Sequence, residues 1–287
     1  MAETFTLAHC SDPHLGHERE PDSKENARRM AEAIAADPGI DLVVITGDLT
    51  DQGDERPEDY ALAQRWVASL GKPGRVVAGN HDVGAFVGVG RGEVREPACA
   101  RFDEAFGGDR WANHDAAPGW SLVGVNSMVG GSGLERERAQ QQWLTAQRQV
   151  AHQRGHAVAL CTHAPLFVND PAEPAGPVHG YWTAPPMARD ALVRPDTEAA
   201  LAPFGLVMSG HLHQCRSFEA GLAGHDRPTR FAWAPAASGS IVDAPSFPLD
   251  DGRARTGYWK HTLSAGADVL STFVRVVLET RVYRADE

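Results

Sequence analysis

Four short apolar runs in this chain each break off into a cluster of aspartate, histidine and asparagine, and that repeated junction limits what the chain can fold into. Leu7-Ala8-His9-Cys10-Ser11 enters Asp12-Pro13-His14, and Leu42-Val43-Val44-Ile45-Thr46 enters Gly47-Asp48-Leu49-Thr50-Asp51. Arg75-Val76-Val77 enters Ala78-Gly79-Asn80-His81-Asp82, and Leu206-Val207-Met208-Ser209 enters Gly210-His211-Leu212-His213. Short runs of this kind read as strands covered on both faces. Between the first three lie segments of helical periodicity. Ala27, Met30, Ala31 and Ile34 share one face of a helix expected to start at Asp22, with Asp22 as its cap and Glu25 closing a capping box. Leu62, Trp66, Val67 and Leu70 share a face of a second helix opened by Pro57. Strand, loop, helix, strand in repetition predicts parallel strands joined by right-handed crossovers. Sheets of that kind hold ligands beyond the carboxyl ends of their strands, where these motifs sit.

Further along, Val83 to Gly90 is a glycine-rich loop that matches no phosphate-binding pattern. Ala98 to Phe106 and Glu135 to Arg154 read as helices, Ser121 to Asn126 as strand four, and His156 to Thr162 as strand five, ending at His163-Ala164-Pro165. The segment 164–203 is rich in proline and carries His179, Tyr181 and Trp182; together with Phe86 these are candidates for a substrate rim. Beyond His213 come shorter alternating segments at Cys215 to Glu219, Arg230 to Trp233, Gly257 to Leu263 and Thr272 to Arg281, expected to form a second sheet with antiparallel pairing. Residues 1–287 read as a single α/β domain.

Charge and composition exclude some partners. With 27 basic against 38 acidic residues the net charge is −11, which repels phosphate backbones, so extended nucleic acid is not an expected partner. No stretch approaches the roughly 18 apolar residues of a membrane span, and no basic segment precedes the first apolar run, so a cytoplasmic protein is expected. Cys10, Cys99, Cys161 and Cys215 form no Cys-x-x-Cys pair and imply reduced thiols.

Taken in order, Asp-x-His, Gly-Asp-x-x-Asp, Gly-Asn-His-Asp, the solitary His163 and Gly-His-x-His resemble the calcineurin-like metallophosphoesterase superfamily, over Asp12 to His213. The fold expected is a four-layer α/β/β/α sandwich of two mixed sheets with the metal site at the strand C-terminal ends. The resemblance implies one ion held by Asp12, His14, Asp48 and His213 and a second by Asp48, Asn80, His163 and His211, with Asp48 as the bridge. It also implies that His81 stays off the ions and faces the phosphate, to stabilise charge or protonate the leaving oxygen. Asp51 and Asp82 read as supporting partners that orient a histidine or an amide. Apart from any resemblance, carboxylate and amide oxygens mixed with imidazoles suit Mn, Fe or Zn, divalent or mixed-valence, rather than Ca. Two such ions acidify a bridging water and hold phosphoryl oxygens while hydroxide attacks in line with the leaving alkoxide.

The function expected is hydrolysis of a small diester, a cyclic nucleotide or glycerophosphodiester, similar to class III cyclic nucleotide phosphodiesterases and bacterial glycerophosphodiesterases. Phosphomonoesterases and lipid A precursor pyrophosphate hydrolases are the alternatives. A DNA exonuclease ranks low for want of a basic track. A non-catalytic binding scaffold ranks last, because all seven ligand positions and His81 carry the expected types. His9, His17, Cys10 and Cys161 read as structural. Homo-oligomerisation stays open, with the Phe86 loop or the C-terminal strands as its candidate surfaces.

Overall fold

The computed structural model describes residues 4–16, 21–86, 92–167, 200–222, 225–239, 241–242, 256–276 and 283–284. Two mixed sheets pack face to face between helices. The first comprises β1 (Thr4–Cys10), β2 (Leu42–Ile45), β3 (Gly74–Val76), β11 (Gly257–Ser264) and β12 (Asp268–Arg275), in the order β12-β11-β1-β2-β3. Here β1, β2 and β3 run parallel, and β11 and β12 add antiparallel strands on the other side of β1. The second comprises β4 (Trp111–Ala117), β5 (Trp120–Gly124), β6 (Ala157–Cys161), β7 (Phe204–Ser209), β8 (Arg216–Ala220) and β9 (Thr229–Trp233), in the order β4-β5-β6-β7-β9-β8. Its four central strands are parallel and each edge strand is antiparallel. A short parallel pair, β10 (Ile241–Val242) with β13 (Tyr283–Arg284), joins neither sheet.

Strand alternation distributes the side chains among three apolar layers. Ala8, Cys10, Val43 and Ile45 pack in one cluster with α1 (Pro21–Ala36), α2 (Asp59–Ser69) and α4 (Glu96–Phe106), through Met30, Ile34, Ala63 and Phe102. Their neighbours Leu7, Leu42 and Val44 point the other way and meet Trp120, Leu122, Ala159, Leu206 and Met208 of the second sheet. On the far face of that sheet, Val158, Leu160 and Val207 lie under Leu144 and Ala151 of α5 (Glu135–Gln153). This is why the strand sequences are apolar at successive positions: both faces are buried, and each such side chain contributes about 1.5–3 kcal/mol. The indole of Trp66 ties α2 to α1 by donating to the Ala27 carbonyl at 2.7 Å.

Several expectations are corrected here. The first helix already includes Pro21 and Asp22, so Asp22 stands inside it and not at its cap; the Glu25 carboxylate accepts from Arg28 and Arg29 at 2.7 and 2.8 Å along the helix surface. The second helix begins at Asp59, two residues beyond Pro57, whose carbonyl takes the Tyr60 amide at 3.2 Å. β4 has no counterpart in the sequence reading, because Trp-Ala-Asn-His-Asp-Ala-Ala is an edge strand with most residues half-buried. The four strands expected beyond His213 do not make a sheet of their own. β8 and β9 extend the sheet that begins with β4, while β11 and β12 cover the otherwise open edge of β1, whose backbone needs partners on both sides. The last of them starts at Asp268, not Thr272. None of the four cysteines is in a disulfide. Among the described residues no helix is long and apolar enough to cross a membrane.

Candidate metal centre

The carboxyl ends of β1, β2 and β3 in one sheet and of β6 and β7 in the other meet at one place, and the backbone there is strained. Asp12, His14, Asp48, His211 and His213 take positive φ of 54°, 44°, 50°, 68° and 54°; among the described non-glycine residues only Ala267 shares that region. A left-handed residue with a Cβ costs about 1–2 kcal/mol, so it persists only where the surroundings hold it. The loops after β1 and β2 hold each other. The Asp12 amide donates to the Gly47 carbonyl at 3.0 Å, that of His14 to Asp48 at 3.0 Å, and that of Leu15 to Leu49 at 2.9 Å. After β3 the expected glycine turn becomes a single helical turn, α3 (Asn80–Val83), entered through Gly79. A Cβ on Gly79 would overlap the Asp48 carboxylate and amide nitrogen, which is why the loops approach so closely only with glycine there.

Among the described residues, three groups each bring their ligand-type atoms within 4.8 Å of one another: Asp12, His14 and His213; Asp48, His163 and His211; and His14, Asp51 and His81. Asp48 stands between them. Its Oδ2 is 3.4 Å from Nε2 of His163, 3.6 Å from Nε2 of His14 and 4.0 Å from Nε2 of His81, while its Oδ1 accepts the His81 amide at 2.8 Å. Burial works against its charge, yet the surrounding His163, His81 and His14 hold the carboxyl well below the usual carboxylate range.

The arrangement of protons and lone pairs fits a cation. His163 Nδ1 lies 2.6 Å from the Thr46 carbonyl, so that nitrogen carries the proton and donates. Its Nε2 then presents a lone pair to two oxygens, Asn80 Oδ1 at 3.0 Å and Asp48 Oδ2 at 3.4 Å. A positive species between them reconciles three lone pairs at such distances. A proton serves in the metal-free chain: burial opposes it, but Asp48 above all raises His163 to about 9. On the other side, Nε2 of His14 and Nε2 of His213 are 3.0 Å apart, and Asp12 Oδ1, 3.3 Å from the latter, accepts no hydrogen bond although it is buried. Buried oxygen and nitrogen donors of this mix match the preferences of Mn, Fe or Zn.

The two supporting carboxylates differ. Asp82 receives the amides of Gly79 at 2.9 Å, Leu49 at 3.2 Å and Thr50 at 2.9 Å, and the Thr50 hydroxyl at 2.7 Å, so it pins the loop after β2 to the turn after β3. Burial and then the Asp48 charge push it up to about 7 despite these donors. Asp51 acts through its backbone, whose carbonyl takes Nδ1 of His81 at 2.6 Å, and its carboxylate lies near His14 and His81. Thr46, Thr50 and the Tyr60 hydroxyl, which donates to the Asp82 carbonyl at 2.6 Å, escaped the sequence reading because backbone contacts leave no pattern in side chains.

Of the four rim candidates, Phe86 alone lies among the described residues. Phe86 is only 2% exposed and packs into the helix-side core with Val83, Val94 and Ala98, so its side chain lines no rim. Amide to carbonyl bonds between Ala85 and Gly92 and between Val94 and Ala85 fold it inward. His179, Tyr181 and Trp182 lie outside the described residues, as do His17 and all of 168–199.

The family model described as calcineurin-like phosphoesterase matches residues 5–215. A protein of Psychrobacter sp. (strain PRwf-1), described as a probable cyclic nucleotide phosphodiesterase, is 26% identical over 260 residues, 86% of this chain and 66% of that protein. This chain therefore spans just under two thirds of that relative's length. A purple acid phosphatase isolated from yellow lupin (Lupinus luteus) seeds superposes with a TM-score of 0.62 at 12% identity, over 99% of this chain and 53% of its own. A dimetal phosphatase from Danio rerio gives 0.57 at 11% identity, over 95% and 99%. At such identities the two structures speak for the fold alone.

Proposed function

The chain belongs to the calcineurin-like phosphoesterase family, and from that premise we propose that it hydrolyses small phosphodiesters at a two-metal centre. Asp12, His14, Asp48 and His213 would hold one ion, and Asp48, Asn80, His163 and His211 the other, with Mn, Fe or Zn as occupants. The observation that carries this reading is the position of Asp48 Oδ2, 3.6 Å from Nε2 of His14 and 3.4 Å from Nε2 of His163, imidazoles that belong to different clusters. An oxygen so placed serves both. When bound, the ions supply the positive charge that holds phosphoryl oxygens and acidifies the attacking water.

The chain's own residues arrange the rest. The Asp51 carbonyl fixes the Nδ1 proton of His81, so any proton that His81 gives to a leaving oxygen must come from Nε2. The Asp51 carboxylate lies beside His81 and His14. Asp82 keeps Asn80 and His81 in register with Asp48 by clamping the amides on both loops. Preference for a diester, with a cyclic nucleotide as the first candidate, is supported by the description of the Psychrobacter relative.

The test is a parallel hydrolysis screen of cyclic nucleotides, glycerophosphodiesters, nucleotides and generic phosphate esters with Mn added, alongside elemental analysis of the purified chain. Two ions per chain and fastest turnover of a diester are expected. Fastest turnover of monoesters makes it a phosphomonoesterase, and neither metal nor hydrolysis makes it a binding scaffold.

A further inference from the structure

Beneath the candidate centre runs a buried polar ladder that the chemistry above does not use. His9 follows Leu7 on the inter-sheet face of β1, and it and His261 on β11 are both fully buried. His9 Nε2 is 3.0 Å from Thr46 Oγ1, His9 Nδ1 is 3.4 Å from Nε2 of His261, and His261 Nδ1 is 2.8 Å from Ser271 Oγ on β12. Donors and acceptors match when the Thr46 hydroxyl donates to the Cys10 carbonyl at 3.5 Å and accepts from His9 Nε2, while His9 Nδ1 accepts from His261 Nε2 and His261 Nδ1 from the Ser271 hydroxyl. Burial holds both rings neutral, so each is a directional link with one donor and one acceptor.

The positions of its partners give this ladder its meaning. Thr46 follows β2 and stands two residues before Asp48. The Thr46 carbonyl is also the group that holds Nδ1 of His163. One imidazole thus touches the residue at which a ligand loop leaves the first sheet, and it lies three residues before Asp12 on its own strand. An apolar residue would fill this layer at less desolvation cost, as Leu7, Val44 and Met208 do around it.

Building on the two-metal reading, we propose that His9 is a positioning residue that ties Thr46, just after β2, to His261 of β11, and so fixes the loop that presents Asp48 and the carbonyl that orients His163. The brace acts through the Thr46 hydroxyl on one side and the His261 ring on the other. Side chains that support metal ligands from behind typically change affinity by about 10–100-fold when removed.

The test is Mn²⁺ titration of the metal-free full-length chain by calorimetry, with melting of the metal-free protein recorded in parallel. His9→Leu is expected to weaken the lower-affinity ion by about 10–100-fold, and His9→Gln, which keeps an amide donor and acceptor, to restore it to within about threefold. Thr46→Val, which keeps the carbonyl, is expected to weaken Mn²⁺ like His9→Leu. The double variant should be no worse than the worse single one, because both changes cut the same link. Wild-type affinity in His9→Leu, equal loss in His9→Gln, or additive losses in the double variant would each overturn the proposal, as would a lowered melting temperature with Mn²⁺ binding intact. Should His9→Leu fail to fold, unchanged Mn²⁺ affinity in Thr46→Val does the same. A wild-type chain that takes up fewer than two Mn²⁺ refutes the two-metal reading and the brace with it; two ions in wild type and unchanged affinity for both in every variant refute the brace alone.

Discussion

Replacing Gly79 with alanine perturbs the centre while leaving every candidate ligand in the sequence unchanged. The new Cβ overlaps the Asp48 carboxylate and amide nitrogen and comes within 2.9 Å of its Cγ. Asp48 has nowhere to retreat, since its Oδ1 holds the His81 amide at 2.8 Å and its carbonyl the His14 amide at 3.0 Å. Gly79 is equally tied, with its amide on Asp82 at 2.9 Å and its carbonyl accepting from Asp82 and Val83 at 3.1 Å. The loops must therefore part, and overpacking of so rigid a contact costs about 3 kcal/mol. Unfolding entropy of about 2.1 cal/mol/K per residue gives roughly 600 cal/mol/K for 287 residues, so the metal-free variant should melt about 5 °C lower. Parting the loops also separates Asp48 from Asn80, so the rise in melting temperature on adding Mn²⁺ should shrink, as it does when affinity falls about tenfold or more. Gly133→Ala is the control: its φ is 71° with nothing within 4 Å of the added methyl, so it should lower Tm by only about 2 °C, from backbone strain alone, and leave the Mn²⁺ response unchanged. Calorimetric melting with and without Mn²⁺ reads both effects. A Gly79→Ala chain that melts within about 1 °C of wild type and responds normally to Mn²⁺ would refute the reasoning, because the two loops could then separate freely.

Asp48→Ala should lose both ions by elemental analysis, since its Oδ2 faces both clusters; retention of two ions with normal turnover removes it as the bridge. His81→Ala should keep its metal while kcat falls by about 10² to 10⁴-fold, and full activity on every ester would exclude it from the chemistry. Arg136 holds Glu96 at 3.1 Å, Asp103 at 2.8 Å and the buried Asp109 at 3.0 Å, so Arg136→Met should lower Tm by about 5 °C with or without metal, a loss of roughly 3 kcal/mol from stranded carboxylates. Burial, then the charge of Arg230, holds His261 down to about 3, against about 6.5 when unfolded, so below pH 6.5 the unfolded chain binds the extra proton and stability falls with pH. By urea unfolding, His261→Gln should therefore lose roughly 2 kcal/mol less than wild type between pH 7 and pH 5, and equal losses would show that the ring charges inside the fold.

What the sequence determined by itself was local. Apolar runs such as Leu42 to Ile45 announce a strand covered on both faces, the spacing of Met30 and Ile34 announces a helix face, and each candidate ligand stands within a few residues of a strand end. Those signals are legible because periodicity records which residues are buried. It does not record what they are buried against. The two edges of β1 are chemically alike, so nothing in Gly257 to Ser264 says that it pairs with β1 rather than joining a separate sheet. Phe86 reads as a loop aromatic until Val83, Val94 and Ala98 surround it. His163 is 117 residues from the Thr46 carbonyl that fixes its proton, and His9 is 252 residues from His261. Contacts at such separations are decided by which layers stack, and a backbone carbonyl has no side chain to advertise its part, so only the tertiary structure assembles these ligands into one centre and supplies the groups that hold them there.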